Sequence, residues 1–447
     1  MLKRNHANKG QGLAQGQQSF ALAALASAML WTTAPVAMAQ EGAGGAQLPQ
    51  RFAMHTATAL TLPQAVELAL ASHADVAAAK RLVEAMQGQV IQGGARPNPE
   101  LAYALEDTRS ATRSQSWQLN VPLELGGKRS ARTRAAEKAR EQALVQLADV
   151  QAAVRANVAT AYWDALAAQE RLALSQDSAA LAKAATDTVA KRVAAGKVSP
   201  VEETKARVAE AGIRLELAQA ASDERNAQTR LYALLGAPQA SAFQLQGTGD
   251  ALPPVPDFAA LQLQAASAPA ILLARAEVQR RQALTAVEQS KRVPDITLSA
   301  GVKRSNETQR NMVLLGVSVP IPVFDRNQGN LLEALQLEDK ARDELQAATV
   351  RLGSELSQAH DRLSTITTEV RTLQADVLPG AKSAYDAATV GFENGKFSFL
   401  EVLDAQRTYF SAKSQYLKAL AESHRAAADI DRLLGNALRT AFTPSSQ

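Results

Sequence analysis

The sequence of 447 residues contains no cysteine, and only 4 % of its residues are aromatic. The lack of cysteine excludes disulfides, thiolate metal ligands and a lipid anchor attached to a thiol. Because alanine is the commonest apolar residue, we expect long helices that approach one another closely rather than a thick hydrophobic core. After the first 39 residues there is no run of about 18 apolar residues, so the sequence predicts no transmembrane helix.

The first 39 residues have the features of a secretory signal peptide. Three basic residues precede an apolar stretch at 20–30, and Ala37-Met38-Ala39 provides a small-x-small cleavage site. A membrane anchor is the alternative, but the apolar stretch is too short for one. Removing these residues leaves 45 of the 48 basic side chains against 44 acidic ones. A net charge so near zero gives no reason to expect a nucleic-acid partner.

Most of the chain is one unit that occurs twice. Similarity over such a long period determines the architecture of a chain. Four segments, 96–103, 120–123, 195–199 and 234–236, return as 292–299, 318–321, 394–398 and 433–435, at offsets of 196, 198, 199 and 199 residues. The predicted organisation is a signal peptide at 1–39, an N-terminal linker at 40–60, a first repeat at 61–235, a linker at 236–257, a second repeat at 258–434 and a C-terminal tail at 435–447.

Each repeat contains two strand-like segments joined by a polar loop. Alternating apolar and polar residues predict strands at about 99–107 and 115–123, and again at about 294–303 and 311–320. A strand of about ten residues with one apolar face has the length that crosses an outer membrane when it is tilted. The strands alone leave open the alternative of an ordinary hairpin on the sheet of a soluble protein.

Long helices follow the strands in both repeats. Residues 130–194 contain neither proline nor glycine, and 330–393 contain Gly353, Pro379 and Gly380 as candidate kinks, besides Gly391 next to the turn. Apolar residues at spacings of three and four predict coiled-coil hairpins.

Glycines mark the turns and ends of the predicted helices. Gly196 and Gly395 lie at the turns that reverse each hairpin, where glycine permits a positive φ. Gly236 and Gly435 are expected at the C-terminal caps. A further helix is predicted from Thr61 to about Gly93.

Four strands are too few to close a barrel, and open edges in lipid cost several kcal/mol for each unpaired backbone group. If the strands cross a membrane, their edges must pair with other chains. Three chains supply twelve strands, enough for a barrel with an open interior, and bring their long helices together as a hollow cylinder. The sequence thus predicts an α+β membrane protein with four transmembrane β-strands per chain, in a trimeric tunnel made of a β-barrel and an α-barrel.

The two hairpin turns and their surroundings resemble a known family. The motifs are Arg192-Val193-Ala194-Ala195-Gly196-Lys197, Gly391-Phe392-Glu393-Asn394-Gly395-Lys396 and Phe399-Leu400-Glu401-Val402-Leu403-Asp404-Ala405. Together with the duplicated layout, they are similar to those of the TolC-like outer-membrane efflux factors over essentially the whole mature chain. The resemblance implies a homotrimer in the lipid of the cell outer membrane with a long periplasmic extension. It further implies two partners, a periplasmic adaptor and an inner-membrane, proton-driven efflux transporter.

Two shorter segments resemble the heavy-metal (cobalt–zinc–cadmium) branch of that family. They are Pro122-Leu123-Glu124-Leu125-Gly126-Gly127-Lys128-Arg129 and Tyr103-Ala104-Leu105-Glu106-Asp107-Thr108-Arg109. This branch implies a passive exit duct for divalent cations, with selectivity and energy in the partner transporter. The alternatives are the duct of a multidrug or small-organic pump and a periplasmic coiled-coil scaffold without a pore. The chain departs from many relatives in lacking an N-terminal cysteine, and it has Phe397 where some carry an arginine in the gating turn.

Two carboxylates follow the second turn. Glu401 and Asp404 are three residues apart, so both lie on one side of a helix. The resemblance implies that they line the periplasmic aperture, where a trimer would present six carboxylates that attract cations. A solvated acidic face is the alternative. In the first repeat Glu202 matches Glu401, but Lys205 takes the place of Asp404, so we expect that turn to serve the adaptor contact more than a charge ring.

The two turns themselves are the predicted adaptor contacts. Their residues are Gly196, Lys197 and Val198 in the first repeat and Gly395, Lys396 and Phe397 in the second. An unpaired phenylalanine at a loop tip suggests docking, with burial between helices as the alternative for Phe397 and Phe399.

Nothing in the sequence indicates catalysis. The histidines that remain after cleavage are His55, His73, His360 and His424, and without cysteine their spacing suits no zinc or cobalt site. Gly126-Gly127-Lys128 lacks the spacing of a phosphate-binding loop. Since no acid–base or nucleophile pattern occurs either, we expect no enzyme activity, no cofactor and no resident metal.

Overall fold

The computed structural model describes residues 59–236, 244–247 and 251–435. The predicted signal peptide lies outside the described residues, as do most of the N-terminal linker, His55 and nearly all of the C-terminal tail. The helices are α1 (Leu62–Ser72), α2 (Ala74–Gly94), α3 (Lys128–Ala194), α4 (Pro200–Leu234), α5 (Phe258–Ala265), α6 (Pro269–Ser290), α7 (Gln328–Thr372), α8 (Leu378–Glu393) and α9 (Phe399–Leu434). The strands are β1 (Ala59–Leu60), β2 (Glu100–Glu106), β3 (Ser114–Leu123), β4 (Gln244–Leu245), β5 (Ile296–Ser305) and β6 (Arg310–Ser318).

The strands β2, β3, β5 and β6 form one antiparallel sheet in that order. Each strand lies within two residues of its predicted position, because the alternation that predicts it is the pattern of the sheet's two faces. The junction between β3 and β5 joins the two repeats, with pairs running from Ser114 with Ser305 to Leu123 with Ile296. Among the described residues, no strand pairs with the outer edge of β2 or of β6.

The helix predicted from Thr61 to Gly93 is wrong as a single element. It begins as expected, with the Gln64 side chain accepting a hydrogen bond from the Thr61 backbone N–H at 3.0 Å. The chain then breaks at His73, which is extended at φ −67° and ψ 128° and separates α1 from α2. His73 Nδ1 accepts from the Asp75 N–H at 3.2 Å and caps α2. A histidine cap of this kind leaves no proline or glycine signal in the sequence.

The two segments predicted as linkers also contain structure. β1 and β4 pair in parallel, so residues just before the first repeat meet residues after it. Tyr162 on α3 is 1 % exposed, and its hydroxyl lies 3.0 Å from the Leu60 carbonyl oxygen and 2.5 Å from that of Gln246. Strands of two residues are too short for an alternation to predict them.

The first helical hairpin is built on α3, which runs for 67 residues without a break, or roughly 100 Å at the helical rise. Eight of its seventeen buried residues are alanine, which lets α4, α2, α6 and α9 approach closely. In the second hairpin a π-helical turn at Leu373–Val377 separates α7 from α8, directly before Pro379. Gly353 lies inside α7 and does not interrupt it.

A polar cluster joins α3 to α6. Glu277 on α6 accepts hydrogen bonds from Gln142 on α3 at 2.9 Å and from Arg280 and Arg281, each at 2.7 Å. Burial by itself raises the pKa of Glu277, but the hydrogen bonds from the two arginines outweigh it and lower the pKa to about 2. The carboxylate is therefore held in its charged form.

Candidate functional site: the strand sheet and the hairpin tips

One face of the four-stranded sheet is apolar. Registered pairing aligns Tyr103, Trp117, Val302 and Val313 in one row across it, with the two aromatic ring centroids 4.6 Å apart. The apolar residues of this face are Leu101, Tyr103, Leu105, Trp117, Leu119, Val121, Leu123, Ile296, Leu298, Ala300, Val302, Val313, Leu315 and Val317, and its row at the loop end also contains the polar residues Gln115, Arg304 and Asn311. In the single chain Val313 is 74 % exposed and Leu315 82 %. An exposed apolar surface of this extent indicates contact with a membrane or another protein, and it fits the lipid-facing wall of a membrane barrel.

The opposite face of the sheet is mostly polar or small. This polar face consists of Glu100, Ala102, Ala104, Glu106, Ser114, Ser116, Gln118, Asn120, Pro122, Thr297, Ser299, Gly301, Lys303, Ser305, Arg310, Met312, Leu314, Gly316 and Ser318. Lys303 forms an ion pair with Glu106 across β3, and Ser114 donates to the same carboxylate at 3.0 Å. A polar surface behind an apolar one is the arrangement of a barrel wall with a water-filled interior.

The segment 122–129 connects β3 to α3. The Lys128 ammonium lies 2.8 Å from the Asp295 carboxylate, which also accepts from the Leu125 N–H at 3.0 Å. Glu124 pairs with Arg132 on the first turns of α3. The charged residues of the segment that resembles the heavy-metal branch thus hold the strand-to-helix junction together.

The first hairpin tip comprises residues 195–199. Gly196 has φ 68°, and the Lys197 N–H donates to the Arg192 carbonyl at 2.9 Å, which closes α3. A Cβ at Gly196 would meet nothing within 4 Å, so backbone conformation alone favours glycine there. Ser199 starts α4 by accepting from the Val201 N–H at 3.3 Å. Lys197 is exposed and Val198 is half-buried.

The second hairpin tip comprises residues 394–398. Gly395 has φ 73°, and the Lys396 N–H donates to the Gly391 carbonyl at 2.8 Å. The Phe397 ring lies over Gly391, where a Cβ would come within 2.1 Å of the ring, so this contact requires glycine. The ring is nevertheless 45 % exposed. One side of Phe397 therefore packs against its own hairpin and the other is open.

Glu401 and Asp404 lie on the first turns of α9, directly after this tip. The Glu401 carboxylate accepts from the Ser398 N–H at 2.6 Å, and the Ser398 hydroxyl accepts from the Glu401 N–H at 3.4 Å, which makes a capping box. The backbone hydrogen bond from Ser398 holds the pKa of Glu401 below its usual range. Asp404 is exposed one turn further on. At the first tip Glu202 accepts from Lys205 at 3.2 Å, so that carboxylate is charge-balanced.

Two features of the tips were missing from the sequence-based prediction. The first is the capping box, which could have been predicted from the sequence, because serine followed three residues later by glutamate is its known signature. The second feature is a cation–π contact, with the Arg192 guanidinium carbon 4.2 Å from the centre of the Phe392 ring. It ties the end of α3 to the end of α8, and no sequence pattern links residues so far apart.

Two histidines of the described segments contact other parts of the fold. His360 lies 3.2 Å from the Pro256 carbonyl oxygen, and His424 stacks on Trp163 with ring centroids 3.7 Å apart. Within residues 59–236, 244–247 and 251–435, no three histidine, aspartate or glutamate side chains are grouped so that they could hold a metal ion. In the same residues no helix combines the length and the apolar composition that a membrane crossing requires.

Comparison with known proteins shows which proteins are similar to this chain in sequence and in fold. The chain is 45 % identical over 399 residues to the cobalt-zinc-cadmium resistance protein CzcC of Cupriavidus metallidurans, covering 89 % of this chain and 95 % of that protein. It is 29 % identical over 293 residues to the nickel and cobalt resistance protein CnrC of the same organism, covering 63 % and 68 %. The fold matches the crystal structure of CusC with a TM-score of 0.71 at 19 % identity, over 84 % of this chain and 92 % of that one.

The likeness to CusC confirms the predicted fold class of long helical hairpins combined with four strands per chain. The profile of the family described as outer membrane efflux protein matches residues 65–237 and 260–436, one match in each repeat. A pore-less scaffold is thereby set aside, and the predicted family resemblance is confirmed. The chain belongs to the outer membrane efflux protein family, as an outer-membrane channel with a periplasmic helical extension.

Proposed function

We propose that this channel is the exit duct of a tripartite pump that exports divalent heavy-metal cations, namely cobalt, zinc and cadmium. The observation that carries the proposal is the 45 % identity to CzcC, which extends over 89 % of the chain and so includes both repeats. The match to CnrC, whose name gives nickel and cobalt, supports the same class of cargo. A passive duct need not bind what it passes, so this role requires neither catalysis nor a resident metal.

The functional unit that we propose is a homotrimer. One chain presents a four-stranded sheet with an apolar face, and the two edge strands β2 and β6 need partners in lipid. Three copies would make a barrel of twelve strands, with the polar face of each sheet toward the interior. The hairpins of α3 with α4 and of α8 with α9 would then surround a periplasmic tunnel. The signal peptide at 1–39 would direct export of the chain and would then be removed by cleavage.

The hairpin tips are the proposed contacts with the periplasmic adaptor. The first tip offers Gly196, Lys197 and Val198, and the second offers Gly395, Lys396 and Phe397. The open side of the Phe397 ring would meet an apolar surface of the adaptor, and the exposed lysines would meet carboxylates. The adaptor would link the duct to a proton-driven transporter in the inner membrane, which supplies energy and selectivity.

Glu401 and Asp404 are the proposed residues of the periplasmic aperture. Both are exposed on the same side of α9, and hydrogen bonding keeps Glu401 charged. In a trimer they would form two stacked rings with six carboxylates around the axis. Such rings attract cations and repel anions, which suits a duct for divalent metal ions.

The test of this function is metal tolerance in a strain without the gene. We expect such a strain to be sensitised to Co²⁺, Zn²⁺ and Cd²⁺, to accumulate these ions, and to regain tolerance when the wild-type chain is supplied. Growth with hydrophobic antibiotics is the matched control and should change little. Sensitisation to antibiotics without a change in metal tolerance would assign the channel to a multidrug pump instead.

A further inference from the structure

The two β-hairpins of the sheet are copies of one another, and their pairing together with the sequence repeat at 120–123 gives the offset between them. Glu100 pairs with Asn120 in the first hairpin, and Thr297 pairs with Ser318 in the second. The numbers of two paired residues add to 220 in the first hairpin and to 615 in the second, so the offsets of β2 and β3 must add to 395. Because segment 120–123 returns as 318–321 at an offset of 198, the offset of β2 is 197, which places Glu100 on Thr297 and Asn120 on Ser318.

These offsets also preserve the two faces of the sheet. With a shift of 197, Tyr103 falls on Ala300, and both belong to the apolar face. The offset of 196 inferred from the sequence for segment 96–103 would place Tyr103 on Ser299, which belongs to the polar face. That offset is therefore wrong inside the strand, because a one-residue slip exchanges the faces of a strand.

The junction between β3 and β5 shows how one copy of the hairpin meets the next. It sets Asn120 opposite Ser299 and Trp117 opposite Val302, with ten registered pairs in all. In the trimer proposed above, β6 occupies the position of β3, and β2 of the adjacent protomer occupies the position of β5. The same contact would thus occur six times around the barrel, three times within chains and three times between them.

Resting on that trimer, we propose that β6 of one protomer pairs antiparallel with β2 of the next in the register of the β3–β5 junction. This register sets Ser318 opposite the partner's Ala102, Val317 opposite the partner's Tyr103 and Leu315 opposite the partner's Leu105. The occupant of both open sheet edges is therefore a second copy of this chain, in one defined alignment.

The side chains at the two edges fit this alignment. Leu315 and Val317 are 82 % and 68 % exposed in the single chain, and they would continue the apolar face into the partner's Leu105 and Tyr103. An aromatic residue beside a β-branched residue is a favourable cross-strand pair. On the polar face the small residues Ser318 and Ala102 would meet, so the interior stays open at the seam.

Cysteine pairs test the register directly, because the chain has no cysteine of its own. We would introduce Ser318→Cys together with Ala102→Cys in the full chain and oxidise outer membranes. β2 and β6 of one chain are separated by two strands, roughly 14 Å, which is beyond the reach of a disulfide. Any disulfide therefore joins two protomers, and we expect most of the protein to run as a covalent trimer on non-reducing gels.

The matched control is Asn120→Cys with Ser299→Cys, the same pair at the junction inside one chain. It should lose both free thiols on oxidation without joining protomers. A second test pair, Leu315→Cys with Leu105→Cys, samples the other face of the ladder. Along two antiparallel strands, the opposite residues on one face are hydrogen-bonded to each other and those on the other face are not. The distance between the two Cα atoms differs between these kinds of pair, and disulfide formation depends on that distance.

Slipped pairs separate the register from the trimer. Ser318→Cys combined with Tyr103→Cys, or with Ala104→Cys, should link at least tenfold less than the registered pair. If a slipped pair links more efficiently, the proposed register is overturned while the trimeric channel stands. If the control pair closes and no test pair links protomers while the protein still runs as a heat-modifiable trimer, the register is wrong and the trimer stands; if no trimer is recovered, both are wrong.

Discussion

Replacing one of two adjacent leucines with arginine should decide which face of the sheet meets lipid. Leu315 is near the middle of β6 on the apolar face, and Leu314 is beside it on the polar face, opposite Gly301. An arginine in the lipid-facing wall of a barrel costs about 2–4 kcal/mol at the middle of the bilayer. Three copies in a trimer would cost roughly 6–12 kcal/mol, as much as the whole stability of a typical folded domain.

We therefore expect Leu315→Arg to abolish assembly in the outer membrane. Leu314→Arg should assemble, because its guanidinium would stay in the water of the interior. The assay is the amount of heat-modifiable trimer in the outer-membrane fraction, with circular dichroism to show that the helices remain folded. If both variants assemble equally well, the strands do not cross lipid. If only Leu315→Arg assembles, the two faces have been assigned the wrong way round.

Three further predictions concern the helical part of the chain. Glu401→Ala with Asp404→Ala should relieve the block of channel current by polyvalent cations added on the periplasmic side of a planar bilayer, and an unchanged block would place both carboxylates away from the axis. Tyr162→Phe should lower the free energy of unfolding in denaturant by about 0.5–1.5 kcal/mol, the net contribution of one hydrogen bond, because the Leu60 carbonyl keeps the Gln246 N–H as a donor; an unchanged midpoint would contradict this. The pKa of Glu277, about 2, lies below its ordinary value of 4.5, so thermal stability should fall as the pH decreases through that interval, and Glu277→Gln should remove this part of the pH dependence.

Much of the fold could be predicted from the sequence because its signals are long. The absence of proline and glycine from 130–194 predicts a continuous helix, and α3 is continuous. The prediction failed where a signal is short or depends on distant residues. His73 interrupts a helical pattern, because its extended backbone ends α1 and its side chain caps α2. The short strand β1 is held by its pairing with β4 and by the hydrogen bond from Tyr162.

Less of the candidate site than of the fold could be predicted from the sequence. Glycines at 196 and 395 indicated the tips, and both have the positive φ that a tight turn needs. The surroundings of Phe397 could not be read from the sequence, because they depend on Gly391 in the preceding helix. The surroundings of Glu401 in the assembled channel depend on the positions of neighbouring chains. The sequence of one chain contains no pattern that predicts the distance from Glu401 to those chains.

The differences between the repeats indicate where the proposed trimer has three-fold rather than six-fold symmetry. In the sheet both hairpins follow one plan, so the barrel would have nearly equivalent seams all round. At the tips the copies diverge: Glu202 is neutralised by Lys205, whereas Glu401 is followed by Asp404. The ring of six hairpins would then alternate between charge-balanced and acidic tips. An alternating ring of this kind would offer cations three acidic positions, with the adaptor's contacts distributed between two chemically different kinds of tip.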